Sequence, residues 1–129
     1  MGQKKTILVV DDNEEICQLL MDYLQSKDMY SYFANDISAA MKIANEHKVD
    51  IVILDDNLME GTKGVYHIPG FKATNKDIKV IMLTANNKAD LKQKAAFLGA
   101  ESFLVKPVDF EVLDEALKSK LFSKGGVWQ

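Results

Sequence analysis

The chain has 129 residues, 47% hydrophobic and 27% charged, with a formal net charge of −3, which is the balance of one globular domain around a single core rather than of a disordered or fibrous chain. That charge offers no electrostatic case for nucleic-acid binding, and no apolar run approaches the roughly 18 residues of a membrane span. Met1-Gly2-Gln3-Lys4-Lys5 runs into a strand with no secretory hydrophobic region, so a cytoplasmic protein is expected. Cys17 is the only cysteine, which rules out an internal disulfide and leaves it as an inert helix residue.

Ile7-Leu8-Val9-Val10 is a short, wholly apolar run that ends on Asp11 and Asp12. Asp12 or Asn13 is placed to cap a helix whose apolar residues Ile16, Leu19, Leu20, Tyr23 and Leu24 recur at helical spacing. Tyr30 to Ala34 reads as an aromatic strand, and Asn35-Asp36 as the cap of a second helix over Ile37 to Glu46, with Ile37, Ala40, Met41 and Ala44 on one side. Ile51-Val52-Ile53-Leu54 is a buried strand opening on Asp55-Asp56-Asn57 and then Gly61. Thr62 to Lys76 falls where a third helix belongs, but Pro69-Gly70 lies inside it, at a cost of about 3 and 1 kcal/mol in a helix interior. A short, kinked or irregular segment is expected there. Lys79 to Leu83 is a fourth strand ending on Thr84, Lys88 to Leu98 a helix stopped by Gly99, and Ser102 to Val105 a fifth strand ending on Lys106-Pro107. Asp109 caps a last helix with Val112, Leu113, Ala116, Leu117 and Leu121 inward, and the tail 123–129 is expected to be frayed.

Strands that are apolar without a break, alternating with helices, describe a doubly wound parallel sheet covered on both faces. Ligands of such folds sit beyond the carboxyl ends of the strands, where the winding reverses. Those ends carry Asp11, Asp12, Asp55, Thr84 and Lys106, which the topology gathers into one pocket. Carboxylates about 4 Å apart repel by roughly 1 to 4 kcal/mol per pair, so positive charge must compensate. Lys106 supplies one charge, and an oxygen-only donor set suits Mg²⁺ rather than zinc. Asp55 is then a carboxylate nucleophile able to form an aspartyl phosphate, with Lys106 and Thr84 at the phosphoryl oxygens.

In these pieces the chain resembles the receiver domains of two-component response regulators: Val9 to Asn13 at the first strand, Asp50 to Asp55 at the third, Val80 to Ala85 at the fourth and Phe103 to Pro107 at the fifth. The likeness runs over about residues 5 to 122 and makes 1–129 a single receiver domain. It implies a flavodoxin-like fold with strand order 2-1-3-4-5. It also implies that Asp55 is phosphorylated by a histidine kinase or phosphotransfer protein. Mg²⁺ would be bound by Asp12, Asp55 and the backbone carbonyl of Asn57, with Asp11 acting through water. Thr84 and Phe103 resemble a switch pair, the Lys106-Pro107 peptide is expected to be cis, and the signal would pass to a protein partner or output domain, without direct contact to nucleic acid or membrane. Five positions separate Asp50 from Asp55, so Asp56 is read as a solvated neighbour and not as the phosphoacceptor. His47 and His67 show no partners and are expected to be exposed. The family commonly has proline where this chain has Met59. Magnesium phosphohydrolases that use an aspartyl phosphate need a second carboxylate two positions on; here that residue is Asn57, so a phosphoacceptor rather than a turnover enzyme is expected.

Overall fold

The β-branched and aliphatic runs pair as five parallel strands, β1 (Thr6–Val10), β2 (Tyr30–Ala34), β3 (Ile51–Leu54), β4 (Lys79–Thr84) and β5 (Ser102–Val105), in the order β2-β1-β3-β4-β5. These elements are those of a computed structural model that describes residues 4–58 and 63–122. The expected frayed tail, 123–129, lies outside the described residues, as do Met59 and Gly61.

Successive side chains of a strand point to opposite faces, and the central strands are buried on both. Leu8, Val10, Val52, Leu54, Val80 and Met82 face one core, with Ala40 and Ala44 of α2 (Ile37–Glu46), Ile68 and Phe71 of α3 (Ile68–Thr74), and Leu91 and Ala95 of α4 (Ala89–Leu98). Ile7, Val9, Ile51, Ile53, Ile81 and Leu83 face the other, closed by Cys17, Leu20 and Leu24 of α1 (Glu14–Ser26) and by Leu113 and Leu117 of α5 (Phe110–Phe122). This two-sided burial is why the strands read as unbroken apolar runs. No helix among the described residues is long and apolar enough to cross a membrane.

Local signals set the helix boundaries. Asn13 Oδ1 accepts from the Ile16 amide at 3.1 Å, Asp36 Oδ1 from Ala39 at 2.8 Å, and Asp109 Oδ1 from Glu111 at 2.9 Å, each satisfying a first-turn donor. Gly99 ends α4 at φ +115°, a conformation that side chains rarely adopt.

The third helix is short, as expected. A 3-10 turn over Gly64–His67 leads into the seven residues of α3. Pro69 sits in the first turn, where its missing amide would have had no intrahelical partner, so it starts the helix and does not break it. Two apolar assignments need correction. Leu19 is 48% exposed and Val112 45% exposed, because the buried line of α1 runs through Cys17, Leu20 and Leu24 and that of α5 through Leu113 and Leu117. One residue along a helix turns about 100° away from such a line. His47 is exposed and stacks on Tyr32, while His67 is half-buried.

Candidate functional site

The site is held by backbone bonds at the carboxyl edge of the sheet. The Asp55 amide, one residue past β3, donates to Val10 O at 3.0 Å; the Asp11 amide, one past β1, to Ala34 O at 3.1 Å; and the Lys106 amide, one past β5, to Thr84 O at 2.9 Å. Each functional side chain is therefore fixed by the strand before it, over the point between β1 and β3 where the winding reverses.

The Lys106 ammonium donates to Asp11 Oδ2 at 2.7 Å and to Asp55 Oδ2 at 3.1 Å. Both carboxylates are nearly covered, at 3% and 4% exposure, so these are charge-assisted bonds in a partly desolvated setting. Asp12 is half-buried, and one oxygen from each of Asp11, Asp12 and Asp55 lies within 4.8 Å of the others. Burial raises the Asp11 pKa above the ordinary carboxylate value, and the Asp55 charge adds to it; the Lys106 bond and the Asn13 amide, 2.9 Å from Oδ1, work the other way. Burial also works against the Lys106 charge, but the Asp11 bond and the Asp55 carboxylate outweigh it and hold the ammonium above its usual pKa.

These groups line a cavity of about 350 Å³ that also takes in Asn57, Lys63 and Thr84. Thr84 is 1% exposed and its Oγ1 accepts a long bond, 3.4 Å, from the Asn86 amide. Asn57 is exposed and its amide donates to Asp55 Oδ1 at 3.3 Å. Phe103 does not line the cavity; it is half-buried against the core shared by α2, α3 and α4. The Lys106-Pro107 peptide is cis. Cys17 donates from Sγ to Asp11 O at 3.4 Å, and burial with the Asp11 charge pushes its thiol up to about 11, so it carries no thiolate at neutral pH.

Asp56 is not the solvated neighbour expected. It is 4% exposed and its Oδ1 accepts the Val65 amide at 3.1 Å, while its carbonyl accepts Gly64 N at 2.7 Å. The strand-end carboxylates thus divide: Asp55 meets the pocket and Asp56 ties down the incoming 3-10 turn. No pattern in the sequence marks a partner nine positions away. Gly64 completes the clamp, since a Cβ there would stand 2.1 Å from the Asp55 carbonyl oxygen. Gly64→Ala is expected to lower stability by about 1–3 kcal/mol, the usual cost of overpacking, measured by urea unfolding. A variant as stable as the parent would show that the turn does not press on this peptide.

The family model for the response regulator receiver domain matches residues 7–118. The chain belongs to that family. Among curated relatives, the receiver is 30% identical over 124 residues to the transcriptional regulatory protein MalR of Bacillus subtilis, covering 91% of this chain and 52% of MalR. It is 31% identical over 120 residues to ZraR of Klebsiella oxytoca, covering 93% of this chain and 27% of ZraR. The chain therefore spans about half the length of these relatives, or less. A two-component response regulator from Clostridium difficile shares the fold at a TM-score of 0.89 and 21% identity, over 95% of this chain and 99% of that one. A response regulator from Burkholderia pseudomallei, whose crystal structure has a phosphorylated aspartic acid and a calcium ion, aligns at a TM-score of 0.84 and 25% identity, over 92% of this chain and 70% of that one.

Proposed function

We propose that this receiver is a cytoplasmic, phosphorylation-dependent switch that accepts a phosphoryl group on Asp55 from a histidine kinase or phosphotransfer protein and relays the change to a protein partner or output domain. The observation that carries the reading is the Lys106 ammonium suspended between the buried carboxylates of Asp11 and Asp55 at the mouth of a polar cavity. A lysine so placed neutralises the acids before reaction and stands next to the oxygen on which charge arrives. The phosphorylated aspartate of the Burkholderia relative supports the same assignment.

In the transfer, an Asp55 carboxylate oxygen bonds to phosphorus while the bond from phosphorus to the donor breaks, and the electron pair leaves with the donor group. Lys106 keeps its proton and holds a phosphoryl oxygen. The Thr84 hydroxyl, which donates no bond among the described residues, is available to another. Drawing Thr84 inward biases the neighbouring aromatic, Phe103, and with it the face around α4 and α5, a population shift read by a protein and not by nucleic acid.

The donor set fits a hard divalent cation: three carboxylates with oxygens within 4.8 Å of one another, and no histidine or cysteine among them. Asp12, Asp55 and the Asn57 carbonyl would hold Mg²⁺ directly and Asp11 through water. When bound, the ion supplies charge neutralisation at the phosphoryl oxygens. The domain acts as a phosphoacceptor and not as a turnover enzyme.

The test is incubation with acetyl phosphate, with and without Mg²⁺, followed by intact-mass and peptide mapping. One phosphoryl adduct on the peptide containing Asp55, lost with EDTA, is expected. A chain that takes no label, and does not bind beryllofluoride with Mg²⁺, is a receiver-like binding module instead.

A further inference from the structure

Lys63, eight positions after Asp55, lines the same cavity as Asp55, Thr84 and Lys106. Its backbone is fixed at Lys63 itself and at the residue that follows. Lys63 forms an antiparallel bridge with Asn57, and the next residue, Gly64, donates to Asp56 O at 2.7 Å and packs on the Asp55 carbonyl. Its side chain is exposed, so a long cationic stem stands on a pinned anchor at the cavity mouth.

The two lysines of the cavity are not equivalent. Lys106 already spends its bonds on Asp11 and Asp55 at 2.7 and 3.1 Å, whereas none of the ion pairs among the described residues involves Lys63. An incoming phosphoryl dianion approaches a cavity lined by the clustered carboxylates of Asp11, Asp12 and Asp55 and is repelled by them. From the geometry we infer that Lys63 is a phosphodonor-binding residue: it meets the phosphoryl group of the donor at the mouth and offsets that repulsion before transfer to Asp55. This inference rests on the proposed phosphorylation of Asp55 and names a further residue that recognises the donor.

Lys63 touches the donor and not the attacking oxygen, so its removal acts on donor binding. Lys63→Ala is expected to raise the half-saturating concentration of donor by about 3–10-fold, the effect of one charge on a dianion some 6 Å away in a well-solvated setting, and to leave the limiting rate and the final extent of labelling unchanged. Lys63→Arg should restore the parent value and Lys63→Glu should exceed the alanine effect. Two donors separate the sources of the phosphoryl group: acetyl phosphate, and monophosphoimidazole as the phosphohistidine analogue. Because the phosphoryl group is common to both, the shift should be the same with each. Binding of Mg²⁺ alone, measured by calorimetry, should be equal or tighter in Lys63→Ala. A parent that labels and a Lys63→Ala variant with the same half-saturation overturns the role of Lys63 and leaves Asp55 untouched. A shift with one donor alone overturns it too, since Lys63 would then read the leaving group. A parent that takes no label from either donor overturns both readings.

Discussion

Asp55→Asn is expected to take no label from acetyl phosphate and Mg²⁺, a loss of more than about a thousandfold, of the size seen when other covalent nucleophiles are removed. The substitution is nearly isosteric and leaves the backbone anchor intact, since the Asp55 amide bond to Val10 O at 3.0 Å does not use the side chain. Lys106 retains Asp11 Oδ2 at 2.7 Å, so the pocket keeps its shape and the variant should unfold within a few tenths of a kcal/mol of the parent. What disappears is the charged oxygen proposed to attack phosphorus. The informative companion is Asp56→Asn. The doubled acid at this strand end leaves two candidate acceptors on sequence grounds, but Asp56 Oδ1 is already committed to the Val65 amide at 3.1 Å. Its asparagine variant should label at Asp55 as the parent does. Full labelling of Asp55→Asn would remove Asp55 as the acceptor and return the question to Asp56.

That pair of aspartates also marks the boundary of what the sequence makes legible. The central strands were readable because two-sided burial in a parallel sheet leaves no alternation to misread, and the runs at 7–10 and 51–54 end where the pocket begins. Convergence of Asp11, Asp12, Asp55, Thr84 and Lys106 follows from strand ends sharing an edge, with no knowledge of side-chain geometry required. Helix faces were less legible: Leu19 and Leu20 are adjacent apolar residues, and only packing against Cys17 and Leu24 decides which of them is covered. Least legible were contacts made by a loop that returns. Asp56 to Val65, Asn57 beside Lys63 and Gly64 against the Asp55 carbonyl all depend on how the chain closes after β3, and no periodicity encodes a closure. Pro69 shows the same limit from another side. Its cost depends on whether it falls at the start or the middle of a helix, which is set by where the 3-10 turn ends.

Lys106→Ala should be the most destabilising change in the pocket, by about 3 kcal/mol, at the lower end of the range for removing one partner of a buried ion pair. The lower end applies because the lysine side chain is 16% exposed and its truncation admits water. The two carboxylates it leaves, Asp11 and Asp55, are 3% and 4% exposed, and with the ammonium gone they repel each other with nothing between them. Urea unfolding with EDTA present measures the loss; equal stability of variant and parent would mean that the acids are solvated rather than paired. Phosphoryl transfer should slow by about 10²–10³-fold, as when a preorganised donor to a developing oxyanion is deleted. Magnesium should repair only one of these two losses. In the parent, Lys106 already neutralises two of the carboxylates that a cation would use, Asp11 and Asp55, so the alanine variant should bind Mg²⁺ more tightly. At about a hundred times its Kd the ion should return some 2.7 kcal/mol of stability by mass action. It should not restore the rate, because a cation held by the carboxylates takes up the charge that Lys106 balanced without supplying the N–H donor that Lys106 carries toward the phosphoryl oxygen. A variant stabilised by Mg²⁺ but still slow to label would separate the two tasks that one lysine performs here.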